Sequence, residues 1–192
     1  MTEALKARIA EMQGRINGLR PVAEVSADTQ LFVSSDAVCS RLMDIAAPAP
    51  SDNFLEPSAG TGAILRAVQA AAPGIACEAV ERHIALARQL EKSFPAVSVH
   101  CLDFLSFAPQ TRYSLIVMNP PFRNGADIHH IRHARGLLAP GGRLVAVCTD
   151  GPRQQRQLIP EATHSEKLPG GSFAYTGGAT MIVRIDAPAS GA

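Results

Sequence analysis

The chain has 192 residues, of which 46% are hydrophobic and 18% are charged, and its formal net charge is +1. This length fits one domain, and this composition excludes a disordered or fibrous protein. No apolar run reaches the roughly 18 residues that a membrane span needs, and the charged start MTEALKARIA is unlike a signal peptide, so we expect a cytoplasmic protein with no membrane partner.

The first predicted element is a helix over residues 3–20, within an N-terminal helical extension that we assign to residues 1–30. Its apolar residues recur at steps of three and four: Leu5, Ile9, Met12, Ile16 and Leu19. Such a stripe packs against the rest of the chain or against a partner. The helix could therefore form a homodimer or bind a specificity subunit. The main domain then covers residues 31–192.

A second helix is predicted over residues 36–46, with Ser34 or Ser35 as its N-cap. Strands and helices alternate after it. The predicted strands cover residues 53–56, 75–81, 97–103, 114–119, 143–149 and 180–185, and the predicted helices cover residues 60–72, 83–94, 127–138 and 152–158. This alternation indicates an α/β fold with a doubly wound, mostly parallel Rossmann-like sheet and an antiparallel C-terminal strand.

The four cysteines are far apart and lie in apolar segments, and none forms a CxxC pair. We expect buried free thiols rather than disulfides or a zinc site. His129, His130 and His133 are close in sequence, but no acid follows them in the HExxH pattern. A polar helix face explains them, so no metal site is expected.

The first predicted strand ends in the segment FLEPSAGTGAIL, residues 54–65. Gly60 and Gly62 would let the backbone approach a ligand at the start of a helix. The acid before them, Glu56, would repel a pyrophosphate but attract the ammonium group of an amino acid. The turn also lacks the third glycine of the dinucleotide fingerprint.

Two further acids end the next two predicted strands. Glu81 lies 19 residues after Gly62, a distance at which an acid reaches ribose hydroxyls in this type of fold. Asp103 could accept a hydrogen bond from an adenine amino group, and Phe104 could pack on the purine. Because the carboxyl ends of parallel strands form one edge, these residues together predict a cofactor that joins adenosine to an amino acid.

The fourth predicted strand is followed by Asn119-Pro120-Pro121-Phe122. Two prolines make a stiff turn with few N–H groups. The turn would present the Asn119 side-chain carbonyl and the Pro120 backbone carbonyl as fixed acceptors for a planar NH2 group. Two such acceptors favour the pyramidal geometry that the nitrogen needs for attack. Phe122 could stack on a base swung out of its helix.

The positive charge is concentrated late in the chain. Residues 112–156 contain seven arginines and two acids, which gives a balance of +5. A solvated helix face would account for such a distribution. A basic face toward an anionic partner is the alternative interpretation. Arg153, Gln154, Gln155 and Arg156 follow the last parallel strand and could line a substrate entrance.

With these motifs the chain resembles the class I S-adenosylmethionine-dependent methyltransferases, specifically the amino-methyltransferases that modify N6 of adenine. The matching segments occur in the family's order: EPSAGTG (56–62), the acid of VERH (80–83), CLDF (101–104), NPPF (119–122) and PGGRLVAV (140–147). The resemblance implies S-adenosyl-L-methionine as cofactor. It also implies the following contacts: Glu56, Ser58, Gly60 and Gly62 at its methionine and ribose end, Glu81 at the ribose, Asp103 and Phe104 at the adenine, and Asn119 to Phe122 as the catalytic loop beside the methyl group.

Members of that family often carry an F-x-T-P segment that touches the methionine carboxylate. Here the segment reads Phe32-Val33-Ser34-Ser35, so the aromatic residue and a hydroxyl are retained while the rigid turn is not. Phe32 is therefore a further candidate cofactor contact.

The resemblance implies DNA methylation, with a nucleic acid as partner and DNA favoured over RNA. The chain nevertheless has no room for a target-recognition domain, although specific DNA binding buries roughly 1,000 Å² or more. An RNA base, a protein glutamine amide, or a role as a cofactor-binding interaction subunit with little activity of its own are therefore alternatives.

Overall fold

The computed structural model describes residues 34–172 and 178–189. The predicted N-terminal helix and Phe32 lie outside these ranges, so the assignment of residues 1–30 as an extension stays a prediction. Within the described ranges, no helix is long and apolar enough to cross a membrane.

The described residues form seven strands, five α-helices and three short 3₁₀ turns. The strands are β1 (Asn53–Pro57), β2 (Ala76–Val80), β3 (Ser98–His100), β4 (Tyr113–Met118), β5 (Leu138–Thr149), β6 (His164–Lys167) and β7 (Thr180–Asp186). The helices are α1 (Asp36–Ala46), α2 (Ala63–Ala71), α3 (Ile84–Ser93), α4 (Ala126–Arg135) and α5 (Pro152–Gln157). The 3₁₀ turns cover Phe104–Ser106, Arg123–Gly125 and Ile159–Glu161.

All seven strands belong to one sheet, in the order β3-β2-β1-β4-β5-β7-β6. The first five strands of that order pair in parallel, and β7 pairs antiparallel with both β5 and β6. The doubly wound, mostly parallel sheet and the antiparallel C-terminal strand are thus confirmed. The apolar sequences of β4 and β5 fit this arrangement, because helices cover both faces of a parallel sheet.

The sheet has a separate hydrophobic core on each face, since successive strand residues point to opposite sides. Phe54 and Leu115 belong to the core covered by α1, α2 and α3. Leu55 and Ile116 belong to the core covered by α4. These four side chains have no measurable exposure. The sheet is therefore held rigidly from both sides, which fixes the positions of the loops at its edge.

Helix α1 begins as the sequence predicts. Ser35 is its N-cap, and the Ser35 hydroxyl accepts a hydrogen bond from the Val38 nitrogen at 3.4 Å. The inward residues Val38, Leu42 and Ile45 are buried.

Four expectations about elements and thiols are wrong. Helix α4 ends at Arg135 rather than at residue 138, and β5 already starts at Leu138, which pairs with Tyr113. The pairing then resumes only between Leu115 and Arg143, so Pro140-Gly141-Gly142 lies in an irregularity of the strand and does not precede it.

Strand β3 ends at His100, because Asp103 caps a 3₁₀ turn and leaves the sheet. All four cysteines are free, but Cys101 is exposed in this segment while the other three are buried.

Candidate active site

The order of the strands reverses between β1 and β4, which are neighbours in the sheet although β2 and β3 separate them in sequence. Such a switch point is where open α/β sheets bind ligands, at the carboxyl ends of the strands. Leu55 is in register with Ile116, and two residues later Pro57 and Met118 end the two strands. The turn after β1 and the loop after β4 therefore start side by side.

The turn after β1 is tightly curled. Ser58, Gly60 and Gly62 all have positive φ angles, of 62°, 54° and 77°. Positive φ is unusual for a residue with a side chain such as Ser58. The Ala59 nitrogen donates to the Val80 carbonyl at 2.9 Å, which ties the turn to the end of β2. This tight backbone positions the turn at the switch point.

Glu81 holds that turn through its carboxylate. Glu81 is only 5% exposed, and its two oxygens accept hydrogen bonds from the Gly60 and His83 nitrogens, both at 2.8 Å. A carboxylate offers about four acceptor sites, so these bonds leave capacity for ribose hydroxyls. Glu78, an acid within β2, shares a hydrogen bond of 2.9 Å with the ring of His100 on the neighbouring strand β3.

Gly62 is needed for packing. A Cβ atom on this glycine would lie 2.5 Å from Phe94 Cε2 and 2.9 Å from Leu90 Cδ2. Gly62 therefore lets the start of α2 pack closely on the end of α3. Its predicted role in lining the cofactor remains a prediction.

Glu56 is a buried carboxyl group with one oxygen that lacks a partner. It is 2% exposed, and its Oε2 atom has no hydrogen bond within the part of the chain that the structure describes. Burial raises the pKa of Glu56 well above its ordinary value, and the charge of Glu81 acts in the same direction. A backbone hydrogen bond from Leu65 and the charge of Arg66 oppose the shift of this pKa. The site thus holds an acceptor that suits a cationic ligand.

Asp103 and Phe104 lie after β3 rather than at its end, since the strand stops at His100, and their side chains have different surroundings. Asp103 is exposed, and its Oδ1 atom accepts a hydrogen bond from the Leu105 nitrogen at 2.8 Å. Phe104 is only 3% exposed. Its ring packs on His130 and His133, with ring centroids 5.8 and 4.8 Å apart. The Phe104 ring is therefore part of the core in this arrangement, and its contact with a purine stays a prediction.

Two of the three clustered histidines, His130 and His133, take part in the same packing. His130 Nδ1 bonds to the Ala126 carbonyl at 2.8 Å, and His133 Nε2 bonds to the Phe107 carbonyl at 2.9 Å. Burial lowers the pKa of His130. These rings hold α4 against the segment that carries Asp103.

The loop after β4 starts at the switch point. Asn119 is partly buried, and its Nδ2 atom donates a hydrogen bond of 3.1 Å to the Ser34 hydroxyl. Pro120 is buried and Pro121 is partly buried. Phe122 is 8% exposed and belongs to the core beneath α1, α2 and α3. Glu56 lies near the carboxyl end of β1, and Glu81, Asp103 and Asn119 come after β2, β3 and β4, which with β1 are four adjacent strands of the sheet.

Two contacts in this region were not foreseen from the sequence. The Ser34 hydroxyl accepts a hydrogen bond from Asn119, whereas the sequence suggests Ser34 only as a helix cap or as a hydroxyl near the cofactor. Asp127, at the start of α4, accepts hydrogen bonds from Thr149 and Gln154. An acid in the first turn of a helix is a recognisable signal, but its distant partners cannot be read from the sequence.

Comparison with known proteins places the chain in a family. Residues 28–166 match the family described as the methyltransferase small domain. This segment covers well over half of the chain. No curated protein sequence shows significant similarity to the chain.

Solved structures share the fold at low sequence identity. TrmN from Thermus thermophilus is 20% identical with a TM-score of 0.62, and the match covers 78% of this chain but only 48% of TrmN. The N-methyltransferase NodS from Bradyrhizobium japonicum WM9, in complex with S-adenosyl-L-homocysteine, is 14% identical with a TM-score of 0.59, over 78% of this chain and 85% of NodS. An RNA methyltransferase from Salinibacter ruber, also in complex with S-adenosyl-L-homocysteine, is 15% identical with a TM-score of 0.61, over 81% and 94% of the two chains. The chain therefore belongs to the methyltransferase small domain family.

Proposed function

We propose that this protein is an S-adenosyl-L-methionine-dependent methyltransferase that acts on an exocyclic amino nitrogen, with N6 of adenine in DNA as the first target to test. The observation that carries the proposal is the pairing of two features across the switch point. A buried acid with one oxygen that has no described hydrogen bond, Glu56, lies near the carboxyl end of one central strand, and the Asn119-Pro120-Pro121-Phe122 loop follows its neighbour.

The residues present fit this cofactor. The Oε2 atom of Glu56 has no described hydrogen bond, so it could accept one from an ammonium group. The positive charge of that group would also stabilise the ionised carboxylate. Glu81 and Asp103 lie further along the same edge, in the order that a ribose and an adenine would require. Family membership and the two similar structures that contain S-adenosyl-L-homocysteine support the same cofactor.

The loop would act on the target nitrogen. When bound, the cofactor supplies a methyl group on a positively charged sulfur, which is already activated toward attack. The side-chain carbonyl of Asn119 and the backbone carbonyl of Pro120 would accept hydrogen bonds from the target NH2 group, and so favour the geometry that develops in the transition state. The prolines would keep both acceptors in place, since each proline restricts its own backbone and that of the residue before it.

A base in RNA is the second candidate target. The structural neighbour from Salinibacter ruber is an RNA methyltransferase and spans a similar length of chain. The loop chemistry suits both kinds of nucleic acid, because both contain bases with an exocyclic NH2 group.

A methyl-transfer assay tests the proposal. The full chain is incubated with tritiated S-adenosyl-L-methionine and with DNA, RNA and protein pools, separately and together. We expect label in N6-methyladenine of DNA. Label only in RNA would support the second target, and label only in protein would contradict both. If the protein fails to bind millimolar cofactor in calorimetry, the proposal fails at its first step.

Asn119→Ala tests the role of the loop. We expect transfer to fall about 100- to 1,000-fold, as when an oxyanion-hole donor is removed, while cofactor affinity stays within about twofold. The matched control is Asn124→Gly, since Asn124 is exposed in the following turn and its φ of 59° suits glycine. An unchanged rate in Asn119→Ala would refute the loop mechanism.

A further inference from the structure

Three of the seven arginines in residues 112–156 are bound within the fold. Arg143 forms a salt bridge with Asp52 at 2.7 Å, and Arg135 forms one with Glu161 at 2.6 Å. Arg112 donates to the Gly136 carbonyl. Arg123, Arg132, Arg153 and Arg156 are exposed and form no salt bridge with any described acid. Arg132 lies in the last turn of α4, whereas Arg123, Arg153 and Arg156 lie in the turn after Phe122 and in α5.

These three arginines lie beside the proposed catalytic loop. Arg123 starts the 3₁₀ turn that directly follows Phe122. A Cβ atom built on Gly125, at the end of that turn, would lie 3.8 Å from Arg153 Nη1. Arg156 is three residues further along α5, so it lies on the same side of that helix as Arg153.

A buried hydrogen-bond network holds α5 in this position. Asp127, which has no measurable exposure, accepts hydrogen bonds from the Thr149 nitrogen at 3.0 Å and from Gln154 Nε2 at 2.9 Å. Gln154 is the inward residue of α5, and its neighbours Arg153 and Arg156 therefore point outward. The arginines are placed by the core and do not depend on a flexible segment.

The acids beside α5 are too few to cancel the charge of three arginines. Asp127, buried beneath the helix, is a single carboxyl group. Asp150, just before α5, forms a salt bridge of 2.9 Å with Lys167. The surface formed by Arg123, Arg153 and Arg156 is therefore left with net positive charge at the mouth of the site.

We propose that Arg123, Arg153 and Arg156 form a phosphate-binding face, over which the backbone of a nucleic-acid strand passes while one of its bases reaches Asn119. This inference rests on the proposed function and deepens it, since it selects a nucleic acid over a protein amide. Guanidinium groups suit phosphate oxygens because they can donate two parallel hydrogen bonds. The shared chemistry is the phosphodiester backbone, and DNA and RNA are its two possible sources.

The test is equilibrium binding of short fluorescent oligonucleotides to the full chain, measured by anisotropy without methyl transfer. The three probes are single-stranded DNA, duplex DNA, and RNA of the same sequence, each titrated between about 50 and 200 mM salt. The variant is Arg153→Gln with Arg156→Gln. The matched control is Arg88→Gln with Lys92→Gln, which removes two exposed charges from α3, between β2 and β3.

We expect the double variant to bind every sequence more weakly and to lose about one unit of salt slope for each arginine. Arg123→Gln alone should lose about one unit. The α3 control should retain the slope and affinity of the wild type. Circular dichroism and calorimetric binding of S-adenosyl-L-methionine should show that all variants are folded. The probe that binds most tightly identifies DNA or RNA as the source of the phosphates.

Three results would overturn the inference: no probe binds the wild type, the double variant retains the wild-type slope, or the α3 control loses as much as the double variant. These outcomes are separate from failure of the proposed function. If the arginines bind oligonucleotides but no nucleic acid accepts a methyl group, the face stands and the proposed target fails. If methyl transfer to a nucleic acid occurs with an unchanged slope in the double variant, the target stands and the face is wrong.

Discussion

The Glu81 carboxylate accepts a hydrogen bond from the Gly60 backbone nitrogen at 2.8 Å, and this bond joins the end of β2 to the turn after β1. The other carboxylate oxygen of Glu81 binds the His83 nitrogen at the start of α3. One buried acid therefore holds together the two backbone segments that would surround the cofactor ribose. Its role is structural before any ligand is bound.

We expect Glu81→Ala to weaken both the fold and cofactor binding. Hydrogen bonds to a charged group contribute about 1.5–3 kcal/mol each, so the loss of two of them should lower Tm by roughly 6–24 °C in a domain of this size. Differential scanning calorimetry and isothermal titration with S-adenosyl-L-methionine measure the two effects. Glu91→Ala, on the exposed side of α3, is the control. An unchanged Tm would show that Glu81 does not hold the turn.

The buried Glu56 predicts a pH-dependent stability. Because burial raises its pKa in the folded state, the folded protein binds this proton more tightly than the unfolded chain does. The free energy of unfolding should therefore fall as the pH rises from the ordinary glutamate range through the raised pKa, by about 1.4 kcal/mol for each pH unit between the unfolded and folded pKa values. Below the ordinary range the stabilisation from this group is fully present and does not change with pH.

Glu56→Gln removes that pH dependence. The variant should match the wild type in Tm at low pH and exceed it at pH 7, when no ligand is present. It should also bind S-adenosyl-L-methionine about 10- to 100-fold more weakly, because a charge-assisted hydrogen bond to the ammonium group is lost. Thermal scans across the pH range, with and without cofactor, measure both effects. If Glu56→Gln is more stable than the wild type but binds S-adenosyl-L-methionine equally tightly, then Glu56 does not bind the ammonium group of the cofactor.

Substitutions of Ser34 and Ser35 should have different effects, although the two residues are adjacent in sequence. The Ser34 hydroxyl accepts a hydrogen bond from Asn119, so Ser34→Ala should reduce kcat about 2- to 10-fold, as expected for the loss of one neutral hydrogen bond. Ser35 caps α1, so Ser35→Ala should cost about 1 kcal/mol of stability and leave kcat unchanged. Steady-state kinetics and urea unfolding separate the two. Equal kcat values in both variants would mean that Ser34 does not position Asn119.

Gly62 and Gly74 offer a matched pair of glycine substitutions. Both have positive φ, of 77° and 86°, but a Cβ atom at Gly62 would collide with Phe94 while one at Gly74 meets nothing within 4 Å. Gly74→Ala should cost about 1 kcal/mol, the strain of the left-handed conformation. Gly62→Ala should cost about 1–3 kcal/mol more, because it also overpacks the core. Urea unfolding of both variants checks this difference, and equal losses would argue against close packing at Gly62.

The sequence predicts the positions of most elements well, for reasons that are local. The strand before Asn119 is an apolar run of the right length, the short strand that contains Glu56 follows a proline-rich segment, and α1 begins after a serine that caps it. Because parallel strands align their carboxyl ends, the sequence also predicts that Glu56, Glu81, Asp103 and Asn119 share one edge. The start of β5 at Leu138 is not predicted. Pro140-Gly141-Gly142 is typical of a turn, but the strand continues through these residues with irregular pairing.

By itself, then, the sequence determined the α/β class, the doubly wound order and the edge at which a ligand would bind, because periodicity and strand polarity act over short distances. Only the tertiary structure decided which groups touch across that edge. Ser34 reaches Asn119 across 85 residues, Gly62 packs on Phe94, and Asp127 holds Gln154 beneath the arginines of α5. These contacts depend on how helices pack onto the sheet, which many distant side chains set together.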